Sequence, residues 1–153
     1  MHTVLLTIHS SLRWLVLVAL VALFVRAVVG WRGKQERTKR DRILTAITIG
    51  FVDLQLLLGL VLYFTGPWMQ TLSEGMGRVM STTPLRFFIV EHPFGMIVAL
   101  IVLHVFSVRS RKADDDTVAW RRLAIGVGLG LLIILISIPW PFMPAGRPWL
   151  RFG

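Results

Sequence analysis

The sequence predicts an all-α integral membrane protein: a single four-helix transmembrane bundle, N-out/C-out, with two short basic cytoplasmic loops. Three observations carry that prediction. The 153-residue chain is 55% hydrophobic with a mean hydropathy of +0.70, a value that soluble domains of this size rarely reach because they must also cover their surface. Four apolar stretches (3–29, 43–64, 85–108 and 123–142) each meet the requirement of about 20 apolar residues for a hydrocarbon core about 30 Å thick. The basic residues are concentrated in two of the three connections between those stretches.

The first stretch, from Thr3 to Val29, has no basic segment before it and is too long for a cleaved signal peptide, so it is expected to persist as the first helix. The connection "WRGKQERTKRDR" follows, carrying Arg32, Lys34, Arg37, Lys39, Arg40 and Arg42. The second stretch runs from Ile43 to Phe64. After it comes "TGPWMQTLSEGMGRVMSTTP", punctuated by Gly and Pro and holding a single basic residue, Arg78. Its Trp68, Met69, Met76 and Met80 suit a segment lying in the membrane interface. Three methionines can bind Cu(I), but with no Cys and no His beside them that set is weak.

The third stretch, from Leu85 to Val108, is interrupted near its start by Glu91, His92 and Pro93. Pro93 is expected to free the carbonyl of Ile89 and bend the helix. The connection "RSRKADDDTVAWRR" is basic again, and its run Asp114 to Asp116 suits the N-terminus of the fourth helix. That run lacks the further oxygen ligands of a calcium site. The fourth stretch, Leu123 to Phe142, opens with Gly126 and Gly130, a spacing that lets another helix approach closely, in this chain or in another protein. Pro139 and Pro141 are expected to end it, with Trp140 and Trp149 at the interface.

The distribution of charge fixes the expected orientation: both basic loops cytoplasmic and both termini outside. The net charge of +9 then reflects orientation and anionic headgroups rather than nucleic acid. The absence of cysteine excludes disulfides, iron–sulfur clusters and thiolate metal sites.

Polar residues inside the stretches are the informative ones: His9 and Arg13, then Asp53 and Gln55, then Glu91, His92 and His104. An ionised group at the bilayer centre costs about 2.5–3.5 kcal/mol, so such groups are expected to meet one another. At about 1.5 Å per residue, His9 lies about 9 Å below the outer face, Arg13 about 15 Å, Glu91 and His92 about 9–11 Å, and Gln55 and Asp53 about 14–17 Å. One layer therefore gathers all six, with Arg13, Asp53 and Glu91 as a buried ion-pair cluster. Two readings follow. One is a polar staple that fixes helix register and binds nothing. In the other, His9 and His92, at matched depth on different helices, grip a haem iron from opposite sides, a carboxylate orienting one ring. His104 has no histidine at its depth and reads as a packed or interfacial residue.

These residues also carry a family resemblance. "HSSLRW" on helix one, "DLQLLLGLVLYF" on helix two, "RFFIVEHPFGM" with "LH" on helix three and "IPWPF" at the end of helix four are similar to motifs of small four-helix bacterial membrane proteins often labelled cytochrome b or cytochrome b-like. The resemblance runs nearly from end to end. It implies a multi-pass protein of the bacterial cytoplasmic membrane, and its motif residues fall on His9, Arg13, Trp14, Asp53, Gln55, Arg86, Glu91, His92 and, with a weaker match, His104.

The function expected on this basis is electron transfer by one haem b between helices one and three, linked to a quinone or an external partner. Arg13, Gln55 and Glu91 would tune the haem or contact the quinone, and Arg86 would pair with a propionate. Four-helix b-type cytochromes with two bis-histidine haems place one near each face. This chain has histidines for one such pair, so it cannot alone carry electrons across the core. The alternatives are a cofactor-free accessory subunit of a larger respiratory or photosynthetic complex, docked through the Gly126/Gly130 face, and a small transporter or proton-relay protein.

Overall fold

Caps and prolines set the helix boundaries. In the computed structural model, which describes residues 2–149, the chain forms α1 (His2–Arg32), α2 (Lys39–Thr65), three short helices α3 (Trp68–Ser73), α4 (Met76–Ser81) and α5 (Thr83–Arg86), then a π-helical turn (Phe87–Glu91), α6 (His92–Arg111) and α7 (Asp116–Ser137). Thr38 and Asp41 start α2 with a reciprocal capping box, each side chain bonding the other's backbone N–H. Asp115 caps α7 by accepting from the Val118 N–H at 2.8 Å.

The fourth helix ends at Ser137 rather than running on to Phe142. Pro139 forces the residue before it out of the helical region, and Ile138 is extended at φ −80°, ψ 136°. In the third span the effect of Pro93 is absorbed by the π turn, where the His92 N–H reaches back five residues to the Phe87 carbonyl. The Ile89 carbonyl that Pro93 leaves free accepts the Tyr63 hydroxyl at 3.3 Å.

Among the described residues, four segments are long and apolar enough to cross a membrane: α1, α2, Thr83–Arg111 and α7. No strand occurs among those residues. The helices form a ring in which α7 packs on both α6 and α1, α1 on α2, and α2 closes more sparsely on α6. The core holds Leu20, Leu23, Leu103, Trp120 and Leu123, all fully buried. Large apolar side chains such as Val18, Leu57 and Ile136 stay exposed on the outside of the ring; between helices in a bilayer, close packing rather than the hydrophobic effect supplies the cohesion.

Glycine makes that packing possible between α6 and α7. A Cβ at Gly126 would lie 2.1 Å from the Cβ of Phe106, and one at Gly130 would lie 2.6 Å from Leu103 Cγ. The glycine face expected to receive a partner subunit is thus already covered by α6.

A clamp holds the end of the bundle that carries the basic loops. Arg26 on α1 makes a bidentate pair with Asp41 on α2, at 2.8 and 3.1 Å, and donates to Gln35 Oε1 at 2.7 Å. The Trp120 ring of α7 meets two guanidinium groups, 4.5 Å from Arg26 and 5.3 Å from Arg37, and donates its indole N–H to the Gln35 carbonyl at 2.9 Å. Arg37 is buried and donates to Ser110 Oγ at 2.7 Å. Burial lowers its pKa from the usual guanidinium value, Arg42 adding to the effect while Asp41 and Asp116 oppose it. Gly30 lets the Trp120 ring come this close, since a Cβ there would sit 2.5 Å from it.

Candidate functional site

At the opposite end the bundle opens into a cavity of about 190 Å³ whose lining includes His9 and Arg13 of α1, Gln55 and Tyr63 of α2, His92 of α6 and Arg147 of the C-terminal segment. Its walls are otherwise mainly aliphatic and aromatic. Four of the six residues predicted to contact a cofactor are therefore brought together: His9, Arg13, Gln55 and His92.

The structure around His92 is specific. Its Nδ1 lies 2.7 Å from the Ser137 carbonyl oxygen at the end of α7. A carbonyl can only accept, so Nδ1 carries the proton and Nε2 is left with its lone pair. Among the described residues Nε2 has no hydrogen-bond partner, and the ring lines the cavity. Gly95, one turn along α6, is what lets Ser137 come so near; a Cβ there would lie 2.1 Å from Ser137 Oγ. Phe87 stacks on the imidazole with centroids 6.0 Å apart.

His9 sits on the other helix flanking the cavity, against Gly59, where a Cβ would approach the ring to 3.1 Å. Gln55 Nε2 donates to the His9 carbonyl at 2.9 Å and lies 3.4 Å from His9 Nε2. Three buried polar atoms on residues that line the cavity have no hydrogen-bond partner among the described residues: His9 Nδ1, Gln55 Oε1 and Arg13 Nε. Buried polar groups are nearly always satisfied, so three orphans around one cavity mark a place for a polar ligand or water.

After α7 the chain folds back over the same end. Arg13 Nη2 and the Trp14 indole N–H both donate to the Trp149 carbonyl, at 2.9 and 3.0 Å, and Trp14, Trp140 and Trp149 form an aromatic cluster with centroids 5.5–6.3 Å apart. Arg147 lies over the Phe88 ring at 4.7 Å. Arg147, Tyr63 and Ser137 are not among the residues expected at the site. Pro139 and Pro141, which turn the chain back, were the available signal for the first. The Ser137 contribution is a backbone oxygen, which no side-chain pattern reveals.

The expected buried cluster of Arg13, Asp53 and Glu91 does not form. Asp53 and Gln55 are two residues apart, about 200° around a helix, so only one of them can face the cavity. Gln55 does, and Asp53 turns to the opposite side, where its carboxylate meets His104 Nε2 at 2.7 Å. Both side chains of that pair are about half exposed, 47% for His104 and 40% for Asp53, and a carboxylate left facing hydrocarbon without a partner costs about 2.5–3.5 kcal/mol. His104, expected to be a packed or interfacial residue, is that partner. Glu91 pairs with Arg86 at 2.6 Å on the exterior, so neither belongs to the cavity lining, and Arg86 is not placed to meet a propionate there. The guanidinium that does line the cavity beside Arg13 is that of Arg147.

Among the described residues no group of three or more His, Asp or Glu side chains could hold a bare metal ion. The chain matches no family model, no characterised protein and no solved structure.

Proposed function

We propose that the cavity is the redox-cofactor site of a multi-pass membrane protein that handles electrons near one face of its membrane, holding one b-type haem between His9 and His92. The observation that carries this reading is His92: a half-buried imidazole whose proton is fixed on Nδ1 by a backbone carbonyl, leaving Nε2 free on a cavity, is the arrangement in which second-shell bonding prepares a histidine to ligate a metal. His9 supplies a second imidazole from another helix, with one ring nitrogen lacking a hydrogen-bond partner among the described residues. Arg13 and Arg147 would provide positive charge for propionates. A haem held there would supply one-electron chemistry. One site in one half of a core about 30 Å thick does not carry electrons across it, so a partner would have to accept or deliver them on the same side.

The donor set fits a haem better than the space does. At about 190 Å³ the cavity is smaller than the roughly 300–1,000 Å³ typical of sites for drug-sized ligands, so a macrocycle would enter only with displacement of the C-terminal segment or Gln55. The volume and the three orphaned polar atoms favour a second occupant, a quinone headgroup, whose carbonyls could accept from His9 and Arg13 and whose hydroxyl form could donate to Gln55 Oε1. By the positive-inside rule this end of the bundle would lie outside, and the motif resemblance would imply a bacterial cytoplasmic membrane.

A reduced-minus-oxidised spectrum of the purified protein separates the readings. A Soret change that disappears in His9→Ala and in His92→Ala but survives in Asp53→Asn is the result expected for haem. Colourless protein that takes up no haem on reconstitution, yet yields a quinone on solvent extraction that is lost in Arg13→Ala, would replace haem by quinone. Protein with neither would leave the cavity's polar groups a structural staple and overturn both.

A further inference from the structure

We infer that Arg37 is the centre of a phosphate site at the end of the bundle that carries the basic loops, filled by the headgroup of an anionic lipid or by phosphate from solution. Arg37 is 8% exposed, and among the described residues its guanidinium has no carboxylate partner. Nη1 donates to the neutral Ser110 hydroxyl, which itself donates to the Ala119 carbonyl, each at 2.7 Å. Nε and Nη2 have no hydrogen-bond partner among the described residues. Burying a charge without a partner costs far more than burying a neutral polar group, so buried charges are ordinarily paired.

The two idle donors are neighbours on one edge of the guanidinium. With the same edge, Nε and Nη2, Arg26 grips the two oxygens of Asp41 at 2.8 and 3.1 Å. That fork matches the oxygens of a carboxylate or a phosphate. The carboxylates nearby are already engaged: Asp41 by Arg26 and Thr38, and Asp116 by the backbone N–H of Arg37 at 3.0 Å. The charges acting on Arg37 are Arg42 and Arg111 against Asp41 and Asp116. Arg37 also stands at the positive ends of two helices, just before the Thr38 cap of α2 and bonded to Asp116, the first residue of α7. This corner is therefore complementary to an oxyanion. By Ile43 and Leu44 the exposed surface of α2 is apolar, so Arg37 lies at the level of headgroups, where basic residues next to a span attract anionic lipids. Nε and Nη2 lie just beneath the surface; a phosphate reaches them as the long, exposed side chains of Arg42 and Arg111 swing to share it.

Thermal unfolding of the detergent-purified chain tests the site. Two anions are compared: phosphatidylglycerol against phosphatidylcholine in mixed micelles, and inorganic phosphate against chloride at equal ionic strength. An anion at ten times its Kd should lower the unfolding equilibrium constant about tenfold. A response to the lipid alone identifies a headgroup, and a response to inorganic phosphate identifies a solution anion. Either response should vanish in Arg37→Met and persist in Arg40→Gln, which removes an exposed cation three residues on. Arg37→Lys keeps the charge and loses the fork. Native mass spectrometry of that variant should show retention of the anion weakened about 10-fold to 100-fold, the span of one charge-assisted hydrogen bond. No response to either anion, a response lost equally in Arg40→Gln, or retention by Arg37→Lys at the parent level would each overturn the site. So would an Arg37→Met protein more stable than the parent in every condition.

Discussion

Gly95→Ala tests whether helix packing sets the protonation of His92. The added methyl would lie 2.1 Å from Ser137 Oγ and 2.9 Å from Ser137 Cβ. The hydroxyl can rotate away, but the Cβ cannot, and ordinary carbon contacts are about 3.5–4.0 Å. The end of α7 must therefore retreat by roughly 0.6–1.1 Å. Added to the present 2.7 Å, that carries the His92–Ser137 separation to about 3.3–3.8 Å, past the usual range of an N–H···O bond. Overpacking costs about 1–3 kcal/mol and the lost bond about 0.5–1.5, while Ala over Gly in a helix returns up to about 1. The net destabilisation is about 2 kcal/mol. Unfolding in mixed detergent micelles measures it, and the ¹⁵N shifts of His92 report the tautomer, with Nδ1–H in the parent protein and a mixture in the variant. Ser137→Gly removes both clashing atoms, so the double variant should regain most of the loss and the original tautomer. A Gly95→Ala protein within about 0.3 kcal/mol of the parent, the resolution at which independent sites are judged additive, or one with unchanged His92 shifts, would refute the reasoning.

Other substitutions probe the pairs seen elsewhere. Asp41→Asn breaks the bidentate contact with Arg26, whose partners are 8% and 29% exposed; a cost of about 2–3 kcal/mol is expected, between the values for surface and fully buried pairs. Arg13→Ala and Asp53→Ala should be additive, because the two residues bond different partners, whereas Asp53→Ala and His104→Ala should couple by about 0.5–1.5 kcal/mol in a double-mutant cycle. Gly126→Leu should prevent α6 from docking on α7, seen as loss of the folded form by gel filtration and tryptophan fluorescence. Trp14→Phe removes one of the two donors to the Trp149 carbonyl and should speed proteolysis of the C-terminal segment several-fold, with the transmembrane helices still protected.

Much of this architecture could be read by counting. Length and apolarity give four candidate crossings, prolines mark the irregular turn in the third span and the end of the fourth, and the depths of His9, Arg13, Gln55 and His92 follow from a rise of about 1.5 Å per residue. Those four line one cavity, as depth alone suggested. Direction around each helix was harder. In a soluble bundle the apolar stripe shows which way a helix faces, but a helix that is apolar all round carries no such stripe. Asp53 and Glu91 share the depth of the cavity and face away from it, each with its own partner. The spacing of Asp53 and Gln55 did contain half of the answer, since residues about 200° apart cannot both point inward. It could not say which one did. Arg26 shows the complementary omission: one cation in the last turns of an apolar helix draws little notice, until the "TKRD" capping box brings Asp41 back beside it. In both places the deciding fact is a second helix, and the partner that a buried charge finds there, more than its depth, separates a ligand site from a structural pair.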